Sequence, residues 1–163
     1  MLMAVHCAVL VLAAVLLVLA AINDARHYRI PNRICLALLT LFPVFVATAP
    51  QAVAWEQNIM VFGLMLVSGL ALFWAHVIGA GDIKLLATVG LWGGMHWVGV
   101  FLLVTALAGG VVTLAVAALT FARQPSQTER LSLAKVPVPY GIAIAVGGLT
   151  VFYRLSAPVH FSG

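Results

Sequence analysis

Long apolar runs separated by short polar segments dominate this chain. The runs extend over Met3 to Ile22, Ile34 to Ala49, Asn58 to Val77, Ile83 to about Trp92, Trp97 to Ala122, and Val138 to Tyr153. A helix of about 20 apolar residues crosses a bilayer, so the 163-residue chain has room for about six spans joined by short loops. The fourth run is short for a span, and the alternative is that it merges with the fifth. We predict an all-α integral membrane protein, a bundle of about six transmembrane helices in a single domain over residues 1–163.

The composition excludes an ordinary soluble domain. Apolar residues make up 64% of the chain and charged residues 7%, whereas soluble domains contain about 45–50% and about 25%. The formal net charge is +4, but the basic residues lie in gaps between apolar runs and not on a solvated face, so we expect no nucleic-acid partner. The first run lacks a basic flank and exceeds the apolar core of a secretory signal, which favours a retained helix.

The basic residues predict an orientation in the membrane. With six spans, seven of the eight lysines and arginines fall on one side, namely Arg26, Arg29, Arg33, Lys84, Arg123, Arg130 and Lys135, and Arg154 falls on the other. Lysine and arginine are enriched in cytoplasmic loops. The richer side is therefore predicted to be cytoplasmic, and both termini non-cytoplasmic. Merging the fourth and fifth helices would destroy this asymmetry, which favours the six-span interpretation.

The chain has few acidic residues, which limits the candidates for catalytic carboxylates. Of the four, Glu56 and Glu129 lie in polar loops, while Asp24 and Asp82 lie at the same predicted membrane boundary. Taken singly, Asp82 is explained as a helix N-cap and Asp24 as a helix end paired with Arg26. Taken together, two carboxylates close to each other in a poorly solvated site share a proton. Such a pair can activate water against a peptide carbonyl, because one member accepts a proton and the other donates one.

Three motifs on the predicted cytoplasmic side resemble those of a known family. Gly79 and Gly81 precede Asp82, and glycines permit close backbone approach. The motifs are Gly79-Ala80-Gly81-Asp82, the segment Arg29-Ile30-Pro31-Asn32 after Asp24, and Pro139-Tyr140-Gly141-Ile142-Ala143 followed by Gly147-Gly148. Together they resemble the type IV prepilin peptidase family of GxGD aspartic proteases, over about Ala14 to Leu149.

The resemblance implies a function, a location and partners. Asp24 and Asp82 match the catalytic aspartates of the family, which cleaves the short basic leader of prepilin-like proteins at the cytoplasmic face of the bacterial inner membrane. The small size is most similar to the dedicated peptidases of tight-adherence, or Flp-type, pilus systems. The partners implied are a prepilin-like substrate, the lipid bilayer and the pilus-assembly machinery. The chain lacks the insert and the paired CxxC motifs of the larger, bifunctional members, so we expect no methylation activity.

Five further residues are candidates for substrate binding: Gly79, Gly81, Lys84, Pro139 and Tyr140. Each has a plainer explanation as well. A lysine at a membrane boundary commonly reports orientation, and a proline commonly begins a helix. We expect neither a metal nor a cofactor, because the histidines near this boundary have no third ligand in a metal-binding pattern and aspartyl chemistry needs no metal.

Two other functions are compatible with a pair of aspartates in a membrane protein. The main alternative is a small transport or assembly subunit in which Asp24 and Asp82 bind protons or cations. A conducting path usually needs ionisable groups at mid-depth, and no acidic residue, lysine or arginine lies centrally in any of the six runs. The second alternative is a structural scaffold, which would need neither aspartate to be acidic.

Overall fold

The computed structural model describes residues 2–123 and 138–156, and these form five helices. Their bounds are α1 Leu2–His27, α2 Asn32–Thr48, α3 Trp55–Trp74, α4 Ala80–Arg123 and α5 Tyr140–Ser156. The predicted all-α class is confirmed. The predicted polar loop from Arg123 to Lys135, including Glu129, falls almost entirely outside the described residues.

The helices form one bundle around α4. This helix packs on α3, α5 and α2, while α1 packs on both α5 and α2. The fully buried side chains include Leu17 of α1, Leu38 of α2, Val151 of α5 and Trp92 of α4. The Trp92 ring packs between aromatic rings of α2 and α5. Its centroid lies 5.1 Å from that of Phe45 and 5.2 Å from that of Phe152.

Apolar side chains also cover the outside of the bundle. Val67 is 69% exposed, Leu107 is 64% exposed and Leu114 is 71% exposed. Three helices are long and apolar enough to cross a membrane, namely Leu2–His27, Trp55–Trp74 and Ala80–Thr120, and two shorter apolar helices accompany them. An apolar exterior of this extent requires lipid, because water-soluble monomers rarely expose large contiguous apolar patches.

The predicted fourth and fifth helices are two helical segments within α4, separated by a sharp kink at Gly94. Gly94, inside α4, has a φ of 54° and a ψ of −166°, which are not helical values. Before the kink, Val89 lies beside Gly148 and Gly93 lies beside Val151. Those pairs show that the first arm of α4 (residues 80–93) runs parallel to α5.

The second arm of α4 (residues 95–123) also packs along α5 but runs antiparallel to it. Phe101 lies beside Gly147, and Gly109 lies beside Ala143 and Tyr140. The two arms are therefore antiparallel, and the five helices provide six helical segments. The predicted break between residues 92 and 97 is confirmed at Gly94, where the backbone departs from helical geometry.

A buried asparagine from a neighbouring helix completes the kink. Asn58 of α3 donates a hydrogen bond of 2.8 Å from Nδ2 to the carbonyl oxygen of Leu91. In a regular helix this carbonyl would accept from the amide four residues later, and the kink interrupts that pattern. Asn58 is 7% exposed, and this hydrogen bond gives its buried amide a partner.

Replacing Gly94 by alanine is expected to destabilise the fold. The positive φ disfavours a side chain, and a Cβ at this position would lie 2.8 Å from Cγ of Asn58. We expect Gly94→Ala to lower the free energy of unfolding by about 1–3 kcal/mol, the range for a strained backbone position. Denaturation in mixed micelles measures this change. The matched control is Gly99→Ala, where the Cβ meets nothing within 4 Å among the described residues, and equal stability of the two variants would contradict the prediction.

Candidate active site

Asp24 lies in the last turn of α1 and is almost completely buried. Its exposed fraction is 4%. Helix α1 continues three residues past Asp24 to His27, although the apolar pattern predicted an earlier end. The helix ends at Tyr28, which has a positive φ of 51° and donates its backbone N–H to the carbonyl oxygen of Asp24 at 2.8 Å. A positive φ is uncommon outside glycine, so this turn places backbone strain next to the aspartate.

The first turn of α5 holds the Asp24 carboxylate in place. The backbone N–H of Gly141 donates a hydrogen bond of 2.7 Å to Asp24 Oδ2. Gly141 is the second residue of α5, and amides in the first turn of a helix have no partner within the helix. Asp24 therefore caps α5 from another helix, and its second carboxylate oxygen is left for other interactions.

Asp82 lies in the first turn of α4 and is half-buried. It follows the turn that ends α3, where His76 also has a positive φ, of 59°. Gly79 lies against its carboxylate, because a Cβ on that glycine would be 3.1 Å from Asp82 Oδ2. The positive end of the helix dipole favours an acidic residue at this position, so the N-terminal location predicted for Asp82 agrees with the structure.

A single cavity brings the two aspartates together at one end of the bundle. Its volume is about 430 Å³, and its walls come from the end of α1, the α1–α2 loop, the start of α4 and the residue before Pro139. The lining residues are Asp24, Tyr28, Arg29, Ile30, Asn32, Gly79, Ala80, Gly81, Asp82, Lys84 and Val138. Both carboxylates therefore face one space, in which two basic residues also lie.

Three of the five residues predicted to bind substrate line this cavity: Gly79, Gly81 and Lys84. The Lys84 side chain is oriented by Asn32, whose Oδ1 accepts a hydrogen bond of 3.1 Å from Nζ. Tyr140 lines an adjoining groove that also contains Asp82. Pro139 is buried and lines neither space, and its carbonyl accepts the Ile142 amide in the first turn of α5.

Sequence reasoning did not assign roles to Gly141, Tyr28 or the Asn32 amide. The hydrogen bond between Gly141 and Asp24 joins residues 117 positions apart, which no local pattern reveals. Gly141 belongs to the motif that begins at Pro139, and membership in that motif is the one sequence signal for it. The turn at Tyr28 has no sequence signal, because tyrosine is not a residue that favours positive φ.

Comparison with known proteins identifies the family. A model of the type IV leader peptidase family matches residues 10–114. The chain belongs to this family. The match includes Asp24, Asp82 and the glycines before Asp82, and it ends before α5. No curated protein and no solved structure matches the chain. Membership in this family and the apolar exterior identify the chain as a membrane-integrated protease of the leader peptidase type.

Proposed function

We propose that this leader peptidase is an aspartic endopeptidase that removes the basic leader of prepilin-like proteins, with Asp24 and Asp82 as its catalytic residues. The observation that carries the proposal is that two carboxylates from distant parts of the chain line one cavity. Because the chain is a leader peptidase, a paired-carboxylate cavity is most simply explained as the place of peptide hydrolysis.

The chemistry needs one ionised and one protonated aspartate. The ionised carboxylate accepts a proton from water as the water oxygen bonds to the carbonyl carbon, and the other carboxyl group protonates the carbonyl oxygen. Collapse of the tetrahedral intermediate breaks the C–N bond, and the departing amine takes up a proton from the pair. Water is consumed, and the products are a carboxylic acid and an amine.

The charge distribution supports an active site at the cytoplasmic face of the bacterial inner membrane. Arg26 and Arg29 lie at the end of α1 that carries Asp24, and Arg33 and Lys84 lie in the first turns of α2 and α4. Arg154 lies near the other end of the bundle, 5.5 Å from the centre of the Trp97 ring. We infer from this asymmetry that six helical segments cross the membrane with both termini on the non-cytoplasmic side. Arg130 and Lys135 lie outside the described residues.

The biological substrate class follows from the family. A prepilin-like protein has a short basic leader followed by an apolar helix, so its scissile bond reaches the membrane boundary where the aspartate cavity lies. The short connections between consecutive helices leave no room for a large cytoplasmic insert, which supports a dedicated peptidase of an Flp-type pilus system, acting beside the pilus-assembly machinery.

Cleavage of a co-expressed prepilin-like protein tests the proposed function. Membranes containing the wild-type chain are expected to convert the precursor to the mature form, with the new N-terminus identified by mass spectrometry. We expect full activity in the presence of chelators and of serine- or cysteine-directed reagents, because two carboxyl groups supply both the base and the acid.

Two results would contradict the proposal. One is an intact precursor in membranes where the wild-type chain is correctly inserted. The other is complete inhibition by a chelator. A transport subunit that uses the aspartates for protons would leave the precursor intact but would change proton flux in vesicles, so the two functions give different results.

A further inference from the structure

A second space adjoins the aspartate cavity and extends along the side of the bundle. It has a volume of about 590 Å³ and lies between the two arms of α4 and the first turns of α5. We call it the Asp82 groove. Its lining residues are Val77, Ile78, Asp82, Ile83, Leu86, Thr105, Ala106, Gly109, Gly110, Thr113, Leu114, Tyr140 and Ile144.

The lining of the Asp82 groove suits an apolar helix. Among its described lining residues, Asp82 is the one with a charge at neutral pH. The second arm of α4 contributes small side chains at Thr105, Ala106, Gly109, Gly110 and Thr113. Small residues let a second helix approach closely inside a membrane, where apolarity alone gives no drive for association. The nine residue steps from Thr105 to Leu114 correspond to about 13 Å of helix, or more than two turns.

The position of Asp82 connects this groove to the site of cleavage. Asp82 lines both the aspartate cavity and the groove, whereas Asp24 lines the cavity. A polypeptide with its scissile bond between the two carboxylates therefore has a continuous path past Asp82 into the groove. In a prepilin-like protein the residues that follow the scissile bond form an apolar helix, which is the segment that needs an apolar path.

We propose that the Asp82 groove binds the apolar helix of the substrate, beginning at the residues that follow the cleaved bond. The proposal rests on the proposed function, because it needs Asp24 and Asp82 to flank the scissile bond. It assigns a binding role to Gly110 and Leu114, which lie in the membrane-exposed second arm of α4. The role of the first arm is to present Asp82 at the end of the groove.

A second lateral groove is the natural competitor. It has a volume of about 450 Å³ and lies among α2, α3 and α4. Its mouth carries Asn32, Arg33 and Lys84, and Leu36 lies further along its wall. It meets the aspartate cavity through Asn32 and Lys84 and not through an aspartate. Polar and cationic groups at its mouth suit an apolar helix less well than the small side chains of the Asp82 groove.

Filling the Asp82 groove tests the assignment. A Cβ on Gly110 would meet nothing within 4 Å in the part of the chain that the structure describes, so Gly110→Leu adds a side chain to the lining of the groove without a clash at its first atom. The matched control is Gly99→Leu, on the same arm and equally free of described neighbours, but outside the groove. Leu36→Trp fills the competing groove.

The experiment uses reconstituted vesicles and compares two synthetic substrates. Both substrates have the same basic leader and the same cleavage junction. One continues as a 20-residue apolar helix, about the length of a membrane span, and the other ends a few residues after the junction. For the long substrate, Gly110→Leu is expected to raise KM by about tenfold, equivalent to about 1.4 kcal/mol of lost binding. For the short one it is expected to leave kcat/KM unchanged, and the Gly99→Leu and Leu36→Trp variants are expected to behave as wild type with both.

Each other outcome has a definite meaning. An unchanged KM for the long substrate, an equal loss with both substrates, or a rise in KM for Leu36→Trp instead would overturn the groove assignment. Failure of the wild type to cleave either substrate would overturn the proposed function itself.

A photo-crosslinking residue at Leu114 gives a second measurement that does not depend on Gly110→Leu folding. The crosslinking residue at Leu114 is expected to capture the long substrate. A crosslinking residue at Val111, which is exposed but lies outside the groove, is not expected to capture it. Equal capture by both would contradict the groove assignment and would indicate contact with the lipid-facing surface in general.

Discussion

Replacing either Asp24 or Asp82 by asparagine is expected to reduce kcat for leader cleavage by about 10²–10⁴-fold, because this is the typical contribution of a positioned acid or base. Asparagine has nearly the same shape as aspartate, and its side-chain oxygen can still accept the hydrogen bond that Gly141 donates to Asp24. The loss therefore reports chemistry and not a collapse of the cap on α5.

The double variant distinguishes a pair from two independent residues. Groups that act as a unit show strongly non-additive losses, so Asp24→Asn combined with Asp82→Asn is expected to be about as inactive as either single variant. Glu56→Gln, an exposed carboxylate in the first turn of α3, is the control and is expected to retain wild-type activity. Residual activity above about a hundredth of wild type in either single variant is too high for a loss of acid–base catalysis and would contradict the assignment.

The elements that depend on local pattern could be predicted from the sequence. Apolar runs identified the helices, because lipid and core positions are both apolar in a membrane protein and leave few polar interruptions. The end of α1 differed from prediction. Residues 23–27, four of which are polar, remain helical, since hydropathy reports where lipid ends and not where a helix ends. The turn at Tyr28 sets that boundary through backbone conformation.

The elements that depend on contacts between distant segments could not be predicted. The apolar pattern places a break between residues 92 and 97, but nothing local distinguishes Gly94 from Gly93 as the glycine with the positive φ. Asn58 identifies it only after folding, because its side chain reaches the Leu91 carbonyl on another helix. The motif around Asp82 indicated a site. The groove beside Asp82 could not be predicted, because it forms only when the second arm of α4 folds back antiparallel to the first.

The buried contact between Asp24 and α5 gives one residue a structural role beside its proposed catalytic role. The carboxylate caps the start of α5, a role that the sequence suggested for Asp82 and not for Asp24. It also lines the cavity that contains Asp82. A capped carboxyl group has a fixed orientation, and fixed orientation is what proton transfer between that group and the reacting water or carbonyl oxygen needs. The structural and the proposed catalytic role of Asp24 are therefore compatible, and Gly141 is the residue that links them.

Replacing Gly141 by alanine is expected to reduce kcat by about 100-fold, the loss typical of displacing a catalytic group by about 1 Å. A Cβ on Gly141 would lie 2.8 Å from both Cβ and Oδ2 of Asp24, which is closer than non-bonded atoms approach. Either the carboxylate or the start of α5 must move, and the hydrogen bond to Oδ2 is lost or lengthened. Gly141 is thus a positioning residue that acts through Asp24.

Two comparisons separate positioning from general damage. Gly63→Ala, where the Cβ meets nothing within 4 Å among the described residues, is expected to keep full activity and to gain up to about 1 kcal/mol of helix stability. Adding Gly141→Ala to Asp24→Asn is expected to cause little further loss, because the residue it positions has already lost its acidity. A multiplicative loss in that double variant, or wild-type kcat in Gly141→Ala with an intact fold, would show that Gly141 does not act through Asp24.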